Sequence, residues 1–111
     1  GSRAYPYVIQ NGVMCVNVLG GPHRPVSDSF AGFTTTTMDE RFGTGSWTVL
    51  STGAPALEGA SAAVDCVIED VVEKGTHSVL FGTVKAIALG HSESGLIWWG
   101  RDYRVVGTEL A

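Results

Sequence analysis

Charge is scarce in this chain. Asp, Glu, Lys and Arg make up 16% of 111 residues, while apolar residues make up 44%. That balance excludes a disordered or solvated tail, which needs many charges and few apolar groups. Basic residues are the scarcer sign: 7 Lys and Arg against 11 Asp and Glu, a net charge of −4. A nucleic-acid footprint is not expected from such a chain. Cysteine is limited to Cys15 and Cys66, with no C-x-x-C pair, so neither a zinc knuckle nor a dithiol redox motif is supported. Two reduced, buried thiols are the plain expectation. No apolar run approaches the ~20 residues of a membrane helix. No signal-peptide pattern is visible, and a cytoplasmic protein is the simplest fit. The three histidines and the carboxylates show no metal-ligand spacing, and no metal is expected. Walker, Rossmann and G-x-S-x-G motifs are all missing, which leaves hydrolase chemistry unsupported.

What the chain does have is glycine (15 residues) and strand-like runs. Residues 12–19, G-V-M-C-V-N-V-L, read as a strand that is apolar on both faces except at Asn17. Residues 23–33 are a short helix candidate whose first turn falls near Pro25. Thr37-Met38-Asp39-Glu40 has the spacing of a capping box. Residues 47–50 are a short strand candidate, and residues 51–59 read as loop, broken by Gly53 and Pro55. Residues 60–69 alternate: Ala60, Ala62, Val64, Cys66 and Ile68 on one face, Ser61, Ala63, Asp65, Val67 and Glu69 on the other. The apolar phase shifts near Asp70, which suggests a bulge. Glu73-Lys74-Gly75-Thr76 is a turn. Residues 77–89 form a long strand, apolar on both faces, for which a central place in a sheet is expected. Residues 90–95 read as a solvated loop, and 96–99 and 103–106 as final strand pieces. About five strands joined by short turns, with one or two short helices, predict a single mainly β domain over 1–111, antiparallel and curling into a barrel.

Three groups of residues carry chemical potential. His77 stands where a turn enters a strand, so the ladder fixes its backbone while its imidazole faces a cleft or simply caps the turn. Trp98, Trp99, Arg101 and Tyr103 form a second group. Arg101 and Tyr103 share a face if the strand is regular, and suit a ring edge or a phosphate; an aromatic strand pair with a surface Arg is the plainer alternative. Phe30-Ala31-Gly32 with Arg41-Phe42 is the third. Small residues there let a ligand approach the backbone, and Arg41 suits a phosphate or a local pairing with Asp39 or Glu40. His23 and His91 lie in loops and are expected to be solvated.

Together these residues resemble the flavin reductase-like family, the small reductases that serve two-component flavin monooxygenases, such as the reductase component of 4-hydroxyphenylacetate 3-monooxygenase. The resemblance runs through G-V-M-C-V-N-V-L at 12–19, F-A-G at 30–32 with E-R-F at 40–42, and G-A-P-A-L-E-G-A at 53–60. It continues through G-T-H at 75–77 and closes on Leu96, Ile97, Arg101 and Tyr103. It implies a split β-barrel of flavin-binding type with Greek-key antiparallel strands, a homodimer, and NAD(P)H-dependent reduction of FMN or FAD for a partner monooxygenase. By the same resemblance Phe30, Ala31 and Gly32 lie along the flavin, and Arg41 is carried over with them as a cofactor-binding residue. His77 sits by the nicotinamide and flavin rings, and Arg101 and Tyr103 close the site. Catalysis is then positional, with no essential protein acid or base.

The resemblance covers the C-terminal two thirds of the family domain and implies a chain truncated at its N-terminus. Unpaired strand edges and oligomerisation follow as expectations. Two alternatives to the enzyme remain open: a flavin-binding barrel module without turnover, and an inactive fragment that only oligomerises.

Overall fold

The computed structural model describes residues 5–31, 37–90 and 94–107. Helix α1 (Tyr5–Asn11) leads into β1 (Val13–Val18), and a 3-10 turn (Gly21–His23) leads into α2 (Arg24–Ala31). Helix α3 (Met38–Phe42) follows, then β2 (Trp47–Val49), β3 (Pro55–Leu57), β4 (Ala62–Lys74), β5 (His77–Leu89), β6 (Ser94–Trp99) and β7 (Asp102–Gly107). The described strands make three sheets, β1-β4-β5, β2-β3 and β6-β7, and every pairing is antiparallel. The fold is mainly β with few short helices, as expected; these sheets do not close on one another into a barrel.

Local chemistry sets the element ends. Thr37 Oγ1 accepts from Glu40 N–H at 3.2 Å, and Glu40 Oε1 accepts from Thr37 N–H at 3.4 Å, so the capping box forms. Helix α2 starts at Arg24, with Pro25 in its first turn where no intrahelical donor is lost. Gly75 takes φ +59 at the first position of the two-residue loop between Lys74 and His77. A side chain there would be strained.

Four expectations are corrected. Strand β5 is not central: among the described residues it pairs only with β4, and β4 is the middle strand. The stretch 51–59 is not all loop, since Pro55–Leu57 pairs with Trp47–Val49. The seven strands exceed the five expected, and α1 was not foreseen. The bulge is present: the β4–β5 register shifts between Ile68 and Asp70, leaving Glu69 without an opposite residue. The loop expected at 90–95 ends sooner, because β6 begins at Ser94. His91 lies outside the described residues.

Strand β4 alternates as the sequence indicates, and residues on both of its faces are buried: Ala63 and Asp65 on one, Cys66 on the other. Register places Cys15 opposite Asp65 and Asn17 opposite Ala63. This face, not the one with Val64, lies under the β2–β3 hairpin. Asp65 is 0% exposed. Its Oδ2 accepts from the backbone N–H groups of Ser51 and Thr52, both at 2.8 Å, and its Oδ1 accepts from the Thr52 hydroxyl at 2.6 Å. Asn17 completes the attachment: its amide nitrogen donates to Pro55 O at 3.2 Å, and its oxygen accepts from Leu57 N–H at 2.8 Å. The side-chain amide thus substitutes for a neighbouring strand along β3.

Both cysteines are free thiols. Cys15 and Cys66 project from opposite faces, because Cys66 lies across from Met14. Burial, and then the nearby Asp65 and Cys66, push the Cys15 thiol above its ordinary pKa.

Burial pulls the Asp65 carboxyl upward, but the hydrogen bonds from Thr52 and Ser51 outweigh it and hold its pKa below the ordinary value. A depressed carboxyl pKa gives stability that is fully present above the unfolded-state value of about 3.9 and is lost as pH falls through the folded value. Asp65→Asn keeps the shape but loses acceptor capacity against those donors. The variant should be about 3 kcal/mol less stable in urea denaturation at neutral pH. The gap to wild type should narrow as the pH is lowered below about 4, because the unfolded state takes up a proton there before the native carboxyl does.

Candidate functional site

Helix α2 is the centre around which most of the candidate residues gather. Phe30, near its C-terminus, meets Phe42 edge-on with ring centroids 5.2 Å apart and Trp47 at 5.6 Å. Phe42 and Trp47 close the triangle at 5.1 Å, and Trp47 Nε1 donates to Phe42 O at 2.7 Å. Edge-to-face contacts of this kind add stability beyond area burial. They fix one side of the Phe30 ring while leaving the residue partly exposed. Ala31 is exposed beside it, and Gly32 lies outside the described residues. Such a rigid ring next to a small residue can support a planar ligand.

Arg41 sits one residue before Phe42 on α3, but it is only 4% exposed. Its position below the surface suits holding α3 in place better than meeting an anion from solvent. Glu40 serves the capping box, accepting from the Thr37 hydroxyl and N–H.

Tyr103 is tied to the other side of α2. Its hydroxyl donates to Ser27 Oγ at 3.0 Å, its ring meets Trp98 edge-on at 5.0 Å, and the Arg24 guanidinium lies 4.8 Å from its ring centroid. Arg24 also approaches Asp28 at 3.9 Å and Asp102 at 3.8 Å, while Arg104 pairs with Asp102 at 3.0 Å. The Tyr103 N–H bond to Asp102, followed by Arg104, keeps the exposed Asp102 carboxyl below its ordinary pKa. Arg101 does not share a strand face with Tyr103 as expected. It occupies the two-residue turn between Trp99 and Asp102, with φ +62 after Gly100 at +61.

His77 is not brought to this group. It is the exposed first residue of β5, opposite Lys74. Beyond Ile68 no third described strand accompanies β4 and β5, so His77 sits at the far end of a two-stranded ribbon. At ~3.3 Å per residue, the twelve steps from His77 to Leu89 span roughly 40 Å along the strand. The Leu89 end is where β1, the Gly21–His23 turn and β6 meet: Ser61 N–H donates to Val18 O, Gly21 N–H to Ser94 Oγ, and Leu96 N–H to Leu19 O.

Some contributing residues were not singled out from the sequence. His23 was expected to be solvated, yet it is half-buried and its Nδ1 accepts from Gly20 N–H at 2.9 Å, capping the turn into α2. Arg24 and Ser27 carried no signal beyond helix position. Asn17 did carry one, as the polar residue in an apolar strand. A pocket of about 90 Å³ lies between Thr48, Ala56, Glu58, Ala63 and Ala88. It falls below the roughly 300–1,000 Å³ usual for ligand sites and includes none of the candidate residues.

Comparison with known proteins bears on this arrangement. A family described as "Flavin reductase like domain" matches residues 1–107. The FMN reductase (NADH) RutF of Bradyrhizobium diazoefficiens is 48% identical over 107 residues, covering 96% of this chain and 58% of that protein. Its counterpart from Variovorax paradoxus is 44% identical over 105 residues, covering 95% of this chain and 57% of that protein. Among solved structures, a putative flavin reductase from Haemophilus somnus superposes with TM-score 0.87 at 33% identity, covering 95% of this chain and 66% of that one. The nitrilotriacetate monooxygenase component B homologue of Mycobacterium thermoresistibile superposes at 0.84 with 27% identity, covering 99% and 60%. The chain thus spans a little under three fifths of the length of these curated relatives.

Two variants separate the functions of Tyr103 in this packing. Tyr103→Phe removes only the bond to Ser27 and should cost about 1 kcal/mol in chemical denaturation. Tyr103→Ala also removes the ring under Arg24 and beside Trp98 and should cost about 3 kcal/mol.

Proposed function

The chain belongs to the flavin reductase-like domain family, and we propose that it acts in NADH-dependent reduction of FMN. The observation that carries this reading is the Phe30–Phe42–Trp47 triangle, which holds one aromatic ring half-open beside Ala31. The names of the curated relatives support FMN and NADH in particular. FAD and NADPH remain the alternatives that the wider family offers.

In this reading flavin is a substrate. A hydride leaves nicotinamide C4 with both electrons and adds to flavin N5, oxidising NADH to NAD⁺; the reduced flavin then departs. The protein's part is to stack the two rings at the ~3–3.5 Å of a near-attack arrangement, which needs rigid walls more than an acid or a base. Phe30 and Ala31 form such a wall. Arg41 holds α3 and thereby Phe42 behind it, and Tyr103 fixes α2 from its other side. Arg101 closes the hairpin end of the site, and His77, too far along its own ribbon to reach the rings, would meet them only from a second copy of the chain.

A ribbon tip so distant along the strand, and an apolar sheet face with Ile87 61% and Leu89 79% exposed, favour a homodimer in which a second copy covers that face. The kinship with a monooxygenase component B homologue supports delivery of reduced flavin to a separate oxygenase. A cytoplasmic setting fits such a partner.

The first test is titration of the chain with FMN, followed by flavin fluorescence, and then NADH oxidation at saturating FMN. Saturable binding with turnover is the expected result; binding without turnover would make this a flavin-holding module. Phe30→Ala should raise the KM for FMN about tenfold, equivalent to about 1.4 kcal/mol. Sedimentation should show a dimer, and a monodisperse monomer at assay concentration would overturn that part of the proposal.

A further inference from the structure

Arg101 is out of keeping with its backbone. Both central residues of the β6–β7 turn have positive φ, the type I′ geometry in which glycine is strongly preferred at the second position. Every other positive-φ residue among those described is a glycine. An arginine held at φ +62 where glycine would rest without strain points to a task for the side chain.

Its charge is also unspent. Arg24 and Arg104, the neighbouring cations, lie against Asp28 and Asp102. Arg101 has no ion pair among the described residues. In a chain of net charge −4, an exposed and uncompensated guanidinium is a specific attractor for an anion. Trp99, on the other side of the turn, is 72% exposed and offers an indole face. Aromatic faces of this kind stack with nucleobases, while a guanidinium fork takes phosphate oxygens in pairs.

The hairpin tip is also held still. Trp98 packs against Tyr103, Tyr103 bonds to Ser27 on α2, and Leu96 N–H donates to Leu19 O at 2.8 Å. The turn is therefore fixed relative to the helix that carries Phe30, as preorganised recognition requires.

We propose that Arg101 and Trp99 bind an adenosine diphosphate moiety, with the Arg101 guanidinium on the pyrophosphate and the Trp99 indole stacked on the adenine. NADH and FAD both carry this moiety, and FMN does not. The inference deepens the flavin reductase reading and rests on it for the identity of the ligand.

ADP-ribose, which has the moiety but neither a nicotinamide nor a flavin ring, is the probe. Calorimetry should show saturable binding by the 111-residue chain, at least tenfold weaker in Arg101→Gly and in Trp99→Ala. Arg101→Gly relieves the turn, so its melting temperature should equal or exceed that of wild type, which separates lost binding from lost fold. Arg101→Lys should recover part of the affinity, since it keeps the charge without the fork. Unchanged ADP-ribose affinity in Arg101→Gly, or no binding by wild type, would overturn the proposal. Kinetics then identify the source: a raised KM for NADH with FMN as acceptor assigns the site to the nicotinamide nucleotide, and a rise confined to the KM for FAD assigns it to the flavin. ADP-ribose binding that depends on Arg101, in a protein that reduces no flavin, would uphold this inference and remove the reductase reading.

Discussion

A buried carboxylate holds the middle of this molecule together. Asp65 sits on the central strand with no exposure and three hydrogen bonds from the segment that joins β2 to β3. An unpaired charge there would be costly, because burial in a low-dielectric site penalises the ionised form. The donors are backbone N–H groups and a hydroxyl, so satisfying the charge requires the segment to adopt one conformation. Asn17, two strand positions along on the same face, bonds β3 in the manner of a peptide group. The small hairpin has only three pairs of its own and would be marginal alone. These two side chains give it a third partner, and through Trp47 it then supports Phe30.

The site inherits its rigidity from this arrangement. One end of α2 is braced by the aromatic triangle, and its first turns by Tyr103, Arg24 and the His23 cap. The surface ion pairs around Arg24 contribute little individually in solvent. The cation over the Tyr103 ring and the hydroxyl bond give direction as well as energy, and they set how the β6–β7 hairpin meets the helix. For the proposed ring-to-ring hydride transfer, where geometry would supply most of the acceleration, such bracing is the property that would matter.

Much of this was legible in the sequence, for reasons that can be named. The capping box at Thr37–Glu40 and the bulge beside Asp70 are local, and local rules predicted both. The two long strands announced themselves by apolar runs either side of a glycine turn, although β4 runs on to Lys74 and the turn is only Gly75-Thr76 rather than 73–76. The aromatic and arginine groups at 30–42 and 98–103 were recognised as candidates, and the structure joins both to α2. Strand order was not legible. An apolar-on-both-faces run predicts a central strand, but β5 is an edge among the described strands, and only long-range pairing decides that. The Pro55–Leu57 strand was hidden because its attachment comes from side chains forty residues away in sequence, as in the bond between Leu57 and Asn17. Arg101 was placed on a strand face because alternation says nothing about a positive-φ turn.

The face of the sheet that remains open is the one most apolar by sequence. Register aligns Val16, Val64 and Ile87 in one row and Val18, Ala62 and Leu89 in the next, all on the side opposite Asn17 and Asp65. The hairpin covers the polar side because only that side offers groups that can satisfy its backbone. Hydrophobic burial alone would have chosen the other face, since each fully buried Val, Ile or Leu contributes roughly 1.5–3 kcal/mol. Polar specificity has therefore positioned the hairpin, and the rows of valine, isoleucine and leucine remain for a different contact. A contiguous patch of this kind has the character of an internal surface rather than an outer one. The same division of labour explains why the aromatic site can be rigid while the sheet behind it stays open: the site is braced by hydrogen bonds and ring contacts that do not depend on the apolar rows.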